Sequence, residues 1–207
     1  FGRPFLAGDT DPAVYYADTP MVKELKKDLD RELFRVNARS LENPGVMVLP
    51  RNQGSIARLF LLEGYNPLQL KRRLGEVQVD RQFDLLNVKY KIAINYESRS
   101  VGLAAHGAYL PRAFLLHRWR VLKDDASILA TLNDPSFDHR SEAVLETEPG
   151  IDTPSTQEHI ESEAVIKSYA QNEITVETKS PAAGILVLSE WEYPAWKAWV
   201  DGTPVAV

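Results

Sequence analysis

The chain has 207 residues, of which 24 are basic and 29 acidic, so its formal net charge is −5. Hydrophobic residues make up 44% of it and charged residues 26%, and cysteine is absent. This length and composition suffice for a folded core and exclude an intrinsically disordered chain. Without cysteine there is no disulfide, thiolate metal site or thiol nucleophile. The acidic balance argues against nucleic acid as a partner, because phosphate binding needs clustered Lys and Arg.

The first residue and the hydropathy of the chain predict whether it spans a membrane and whether it is part of a longer protein. No apolar run approaches the roughly 20 residues that a membrane-spanning helix requires. The first residue is Phe1 rather than Met, and no signal-peptide pattern follows it. We therefore expect a soluble segment cut from a longer protein.

Three helices are predicted from capping residues and apolar spacing. Thr19 and Pro20 predict a helix start, with an N-cap followed by proline at the first helical position. The apolar residues that follow at helical spacing are Met21, Val22, Leu25 and Leu29. A second helix is predicted over 66–75, where Gly75 can end it, and a third over 123–133.

Strands are predicted wherever apolar and polar residues alternate. The clearest is 88–96, in which Lys89 and Lys91 lie on the face opposite the apolar residues. Further strands are predicted over 33–36, 46–49, 101–105, 113–122, 164–169, 174–179, 185–188, 196–200 and 205–207. The continuously apolar run 185–188 is typical of a strand buried on both faces. Asp201-Gly202 predicts a two-residue hairpin turn.

These elements predict an α+β fold, with an N-terminal mixed helix/strand region packed on a mainly antiparallel β-sandwich. The α+β region is expected to take residues 1–100 and the β-sandwich residues 101–207. The sandwich should carry one inserted helix at 123–133 and a mobile acidic loop at 146–163. That loop is rich in Pro, Thr, Ser and Glu and contains no Lys or Arg.

The sequence contains no recognisable catalytic motif. There is no nucleophile elbow and no glycine-rich phosphate loop, and the four histidines are widely dispersed. Asp134, Asp138 and His139 could form a small oxygen-rich metal site. We favour turn chemistry for them, because Asp side chains in such a segment bond nearby backbone N–H groups. We therefore predict no catalytic residue, no metal site and no cofactor in this chain.

An aromatic cluster near the C-terminus provides the candidate binding residues, which are Trp191, Tyr193, Trp196 and Trp199. Indole rings stack on the apolar faces of sugars, so the cluster could contact a glycan. The alternative, which we favour from composition, is packing across a bend, with one ring buried and another partly exposed. On an alternating strand, Trp196 and Trp199 point to opposite faces.

Six short segments follow one another along the chain: 65–71 (YNPLQLK), 85–90 (LLNVKY), 110–114 (LPRAF), 134–138 (DPSFD), 180–184 (SPAAG) and 193–198 (YPAWKA). In this order they resemble the extracytoplasmic part of the YfhO-like family of bacterial membrane proteins. The resemblance spans the chain from about Tyr15 to Val207. The sequence departs from the family pattern at Ala195, where glycine is expected, and at His139, where proline is expected.

The resemblance implies a polytopic membrane protein similar to glycosyltransferases that use polyprenyl-phosphate-linked sugars and modify cell-envelope polymers. The family's catalytic acid is expected between membrane helices near the N-terminus, a region outside this sequence. The fragment is then a non-catalytic accessory domain on the extracytoplasmic face of the bacterial plasma membrane. Its expected partners are the rest of its own transmembrane domain and a glycan or envelope polymer.

Two other functions remain open at this point. One is a free-standing carbohydrate-binding or protein-interaction β-sandwich module. The other is a secreted glycosidase, since its two carboxylates could be distant in sequence.

Overall fold

The computed structural model describes residues 17–50, 52–63, 76–151, 160–191, 195–205 and 207. Within them, the helices are α1 (Pro20–Leu29), α2 (Gln53–Ala57), α3 (Val79–Leu85) and α4 (Asp125–Asn133). The strands are β1 (Arg35–Asn37), β2 (Val88–Asn95), β3 (Ser100–Ala105), β4 (Ala113–Leu116), β5 (Trp119–Val121), β6 (Ala143–Leu145), β7 (Glu163–Tyr169), β8 (Ile174–Lys179), β9 (Ile185–Leu188), β10 (Ala198–Val200) and β11 (Thr203–Val205). The α+β class and the predominance of antiparallel pairing are confirmed.

The chain divides into two compact units that are not contiguous in sequence. The first comprises Phe1–Gln69 and Val88–Gly107, and the second comprises Leu70–Asn87 and Ala108–Val207. The division predicted at residue 100 falls at the first residue of β3, inside the first unit. Of the predicted acidic loop 146–163, residues 152–159 lie outside the described residues.

Helix α1 begins as its sequence predicts. The Thr19 hydroxyl accepts a hydrogen bond from the Val22 N–H at 3.3 Å, and Pro20 occupies the first turn. Val22 and Leu25 are buried, whereas two lysines in the last turn face the negative end of the helix dipole. The amphipathic helix is therefore confirmed, while the helix predicted over 66–75 lies outside the described residues.

The sheet of the first unit has the order β1-β2-β3, with β2 in the middle. Strand β3 pairs antiparallel with β2, and β1 pairs parallel with it. The buried apolar residues around this sheet are Val22, Leu25, Phe34, Val36, Ala38, Leu49, Ala57 and Leu59. The strand predicted over 46–49 is wrong, because Met47 forms only an isolated bridge with Arg39.

The strands of the second unit are hydrogen-bonded in pairs. Pairs β4–β9, β7–β8 and β10–β11 are antiparallel, and β5–β6 is parallel. The single strand predicted over 113–122 is wrong, since β4 and β5 have different partners. The break falls at His117, whose buried ring lies 2.8 Å (Nδ1) from the carbonyl oxygen of Ala183.

The two further predictions for the C-terminal strands have different outcomes. Asp201 and Gly202 both have positive φ, 49° and 80°, and join β10 to β11, so the predicted hairpin is confirmed. Burial of 185–188 on both faces is wrong, because Leu186 is 42% exposed.

Helices α3 and α4 of the second unit are joined by polar contacts. The Asp124 carboxylate caps α4 by accepting from the Ser127 N–H at 2.8 Å. At the other end, the Arg81 guanidinium of α3 donates to the carbonyls of Leu132 and Asp134 at 2.6 and 2.9 Å. Carbonyls that a helix end leaves without an intrahelical partner are thereby satisfied. The helix predicted over 123–133 is confirmed.

Candidate functional site

The aromatic residues predicted as binding residues are exposed to different degrees. Trp191, which follows β9, is 43% exposed, and Trp199, on β10, is 58% exposed. Trp196 is half-buried, and Tyr193 lies outside the described residues. Isolated exposed apolar residues are common, but each of these two indoles exposes an aromatic ring of the kind that stacks on sugars.

Trp199 lies on the short hairpin at the C-terminal end of the second unit. In the β10–β11 register it stands directly opposite Pro204. Opposite residues of an antiparallel pair lie on the same face, so both rings face the same side of the hairpin. This face therefore carries an exposed indole opposite a rigid proline ring.

A polar cluster of the second unit includes Glu190, the residue before Trp191, and is built around a buried arginine. Arg112 is only 4% exposed, and its Nη2 donates to Glu190 Oε1 at 2.7 Å and to the Tyr169 hydroxyl at 2.9 Å. Tyr169 in turn donates to Glu190 Oε1 at 2.6 Å. Burial and the bond to Glu190 raise the pKa of Tyr169, so the phenol remains a proton donor at neutral pH.

These three residues are far apart along the chain, so no local pattern in the sequence predicts that they share a site. One signal was available in the segment LPRAFLL, where Arg112 is the only charge among apolar residues. A lone arginine in such a run must either reach solvent or meet a buried acceptor. The position of that acceptor, Glu190, depends on the β4–β9 pairing, which local pattern does not reveal.

A second, partly buried cluster joins two segments of the same unit. The His139 ring lies 3.1 Å (Nε2) from Asp84 Oδ2, and the Arg140 guanidinium lies 3.4 Å from the same oxygen. Burial lowers the pKa of His139, partly opposed by the hydrogen bond to Asp84. The imidazole is therefore neutral at pH 7.

The aspartates considered for an oxygen-rich metal site, Asp134 and Asp138, instead accept hydrogen bonds within their own turns. Asp134 Oδ1 accepts from the N–H and hydroxyl of Ser136, both at 2.8 Å, and Asp138 accepts from the Arg140 N–H at 3.0 Å. The bonds from Ser136 lower the pKa of Asp134, and the Ser141 side chain, followed by the Arg140 N–H, lowers the pKa of Asp138. The predicted turn chemistry is present. In the ranges that the structure describes, no three His, Asp or Glu side chains converge on a metal position.

The segments that carry the family resemblance contain residues with tight structural requirements. Asn87 is fully buried with φ of 56°, and its side-chain amide donates to the Leu110 carbonyl at 2.8 Å. Phe137 is buried in the second unit, and Gly184 abuts His117. These positions are explained by packing and backbone geometry rather than by catalysis.

The first unit has an open groove of about 340 Å³ beside α1. It is lined by Met21, Glu24, Leu25, Lys27, Asp28, Arg31, Tyr90 and Leu103. The charged residues at its edge pair with neighbours: Lys27 lies 2.6 Å from Glu24, and Asp28 lies 2.7 Å from Lys89. The groove therefore presents an apolar floor and a rim whose charges are largely neutralised.

Comparison with protein-family models, with curated proteins and with solved structures finds no match. No helix among the described ranges is long and apolar enough to cross a bilayer. The candidate site therefore consists of two exposed indoles in the second unit, one of which directly follows Glu190 of the Arg–Tyr–Glu cluster in sequence.

Proposed function

We propose that this chain is an extracytoplasmic accessory domain of a polytopic bacterial membrane protein, and that its exposed tryptophans contact a glycan or envelope polymer. The glycan contact is carried by one observation, the exposure of Trp191 and Trp199. The resemblance of six collinear segments to the YfhO-like family supports the membrane setting.

Binding is tested with the purified chain on an array of bacterial envelope glycans, followed by calorimetric titration of the glycans retained. Trp191→Ala and Trp199→Ala should each weaken binding about tenfold, because an aromatic contact is worth about 0.5–1.5 kcal/mol beyond area burial. Tyr96→Ala is the matched control. Tyr96 is an aromatic residue of the first unit, 79% exposed, whose removal should leave glycan affinity unchanged.

Two results would count against glycan contact. Absence of any measurable affinity in the parent chain removes it outright. Equal losses in all three variants would show that the assay reports non-specific adhesion to aromatic side chains. Retention of a protein partner with no retained glycan would favour the alternative of a protein-interaction module.

The membrane setting has a separate test, which uses the absence of cysteine from this chain. Gln171 is exposed in the turn between β7 and β8, so Gln171→Cys places one accessible thiol in the domain. In intact bacteria producing the full-length protein, a membrane-impermeant maleimide should label this variant more than its parent. Labelling that appears only after lysis would contradict the extracytoplasmic location.

A further inference from the structure

The Arg112–Tyr169–Glu190 cluster converges on a single oxygen atom. Both the guanidinium of Arg112 and the hydroxyl of Tyr169 donate to Glu190 Oε1, at 2.7 and 2.6 Å. The Arg112 Cζ also lies 5.4 Å from the centroid of the Tyr169 ring, within range of a cation–π contact. The carboxylate of Glu190 is thereby held from two directions by groups that are themselves packed.

The backbone next to Glu190 is fixed as well. The Ser189 N–H donates to the Arg112 carbonyl at 2.8 Å, which extends the β4–β9 ladder by one step. The Ser189 hydroxyl donates to the carbonyl of Leu85 at 2.9 Å. Two successive residues are therefore anchored, one by its backbone and hydroxyl and the next by its carboxylate. The residue that follows them is Trp191, whose indole is 43% exposed.

Stability alone is a weak reason for such a cluster. Removing Arg112 and Glu190 from water costs free energy, and a well-packed apolar pair of similar volume is often as stable or more so. What a buried, hydrogen-bonded ion pair does provide is a fixed orientation of the chain that carries it. Here the residue that follows the ion pair is Trp191, whose backbone carries the exposed indole.

We propose that Arg112 and Tyr169 are positioning residues, which hold Glu190 so that Trp191 presents its indole in a preset orientation to a sugar ring. The inference rests on the proposed glycan contact, in which Trp191 is the residue whose orientation the cluster fixes. An indole that is already ordered loses less conformational entropy on binding, so the cluster increases affinity without touching the ligand.

The first measurement needs no glycan. Biosynthetic 5-fluorotryptophan gives one ¹⁹F NMR resonance for each of the four tryptophans, and Trp191→Phe identifies that of Trp191. Tyr169→Phe removes only the hydroxyl that bonds Glu190. In this variant the Trp191 resonance should sharpen and move toward the shift of the solvated amino acid, while the Trp119 resonance stays unchanged. Glu190→Gln, which keeps the side-chain size, should give the same shift.

The matched control is Tyr90→Phe, which removes an equally short hydrogen bond from tyrosine to a carboxylate, 2.5 Å to Asp28, in the first unit. It should leave the Trp191 resonance where it is. Glycan affinity, measured by calorimetry on folded protein, should fall roughly three- to tenfold in Tyr169→Phe and not in Tyr90→Phe.

The two ideas fail in different ways. An unchanged Trp191 resonance in both Tyr169→Phe and Glu190→Gln overturns the positioning role, whatever the protein binds. A shifted resonance in these variants, together with a parent chain that retains no glycan, overturns the proposed function and with it the sugar as ligand. A shifted resonance together with the selective loss of affinity supports both.

Discussion

Gly184 lies against the imidazole of His117 so closely that a Cβ at position 184 would stand 2.7 Å from Nδ1 and 3.1 Å from the carbonyl oxygen of Leu116. The ring cannot retreat easily, since it is buried and bonded to the Ala183 carbonyl. This contact occurs where the chain enters β9. Only glycine fits there without displacing a neighbour.

We therefore expect Gly184→Ala to lower the free energy of unfolding by about 1–3 kcal/mol, the usual cost of overpacking. Urea denaturation followed by circular dichroism measures it. Gly102→Ala is the control, because a Cβ there meets nothing within 4 Å and the residue is in a strand. Equal stability of the two variants would contradict the close packing of Gly184.

Asn87 combines complete burial with a left-handed backbone, φ of 56°. Asn87→Ala should cost about 2–3 kcal/mol, because it removes the hydrogen bond to Leu110 and leaves a side chain that disfavours this conformation. Asn87→Gly removes the same hydrogen bond but relieves the backbone strain, so it should cost less than Asn87→Ala. If urea denaturation showed a larger loss of stability in Asn87→Gly than in Asn87→Ala, then side-chain volume, rather than φ, would be the main requirement at position 87.

Asp28 receives hydrogen bonds from Lys89 and Tyr90, and the bond from Lys89 is the larger cause of its lowered pKa. Because the folded pKa lies below the unfolded value, the stabilisation is present above about pH 4 and is lost as pH falls through the folded pKa. Asp28→Asn should be less stable than the parent by about 1.5–3 kcal/mol at pH 7, and the gap should close in acid. Glu24→Gln, at an exposed ion pair with Lys27, should change little at any pH.

His139 makes the stability of the fold depend on pH in a different range from Asp28. Its folded pKa is lowered by burial, so the unfolded state binds more protons near pH 6 and stability falls as pH drops below about 6.5. Charged or titratable groups that face the ring are Asp84, Arg81, Arg140 and Asp138. An NMR titration of the imidazole should give a midpoint below 6.5. A midpoint at or above that value would mean that attraction to Asp84 outweighs desolvation.

Trp196 and Trp199 should differ in what they contribute to stability. Trp196 is half-buried, whereas Trp199 is 58% exposed. Since the loss on truncation grows with the apolar area buried, Trp196→Ala should lower the melting temperature more than Trp199→Ala. A larger loss in Trp199→Ala would argue that its ring is packed in solution and unavailable to a glycan.

Local signals in the sequence predicted the elements whose ends have specific chemistry. Thr19 and Pro20 marked the start of α1, and Asp201-Gly202 marked the β10–β11 turn, because caps and positive φ depend on a few adjacent residues. Helix α3 was missed, since only seven residues with a single large buried apolar side chain, Phe83, make a weak periodic signal.

Pairing between distant segments could not be predicted in the same way. The run 113–122 is apolar enough for one strand, yet it divides because β4 pairs with β9 and β5 with β6. The candidate site shows the same contrast between local signals and distant pairing. The sequence identified the aromatic cluster but favoured packing for it, and the Arg112–Glu190 contact depends on that β4–β9 register.

The interleaved order of the two units has a consequence for genetic dissection. Because Val88–Gly107 belongs to the first unit and Leu70–Asn87 to the second, no single deletion from either end yields one complete unit free of residues of the other. A gene fragment ending near residue 107 would encode an orphan piece of the second unit, which includes Asp84 but not its partner His139. Isolating either unit requires an internal splice, from 69 to 88 for the first and from 87 to 108 for the second.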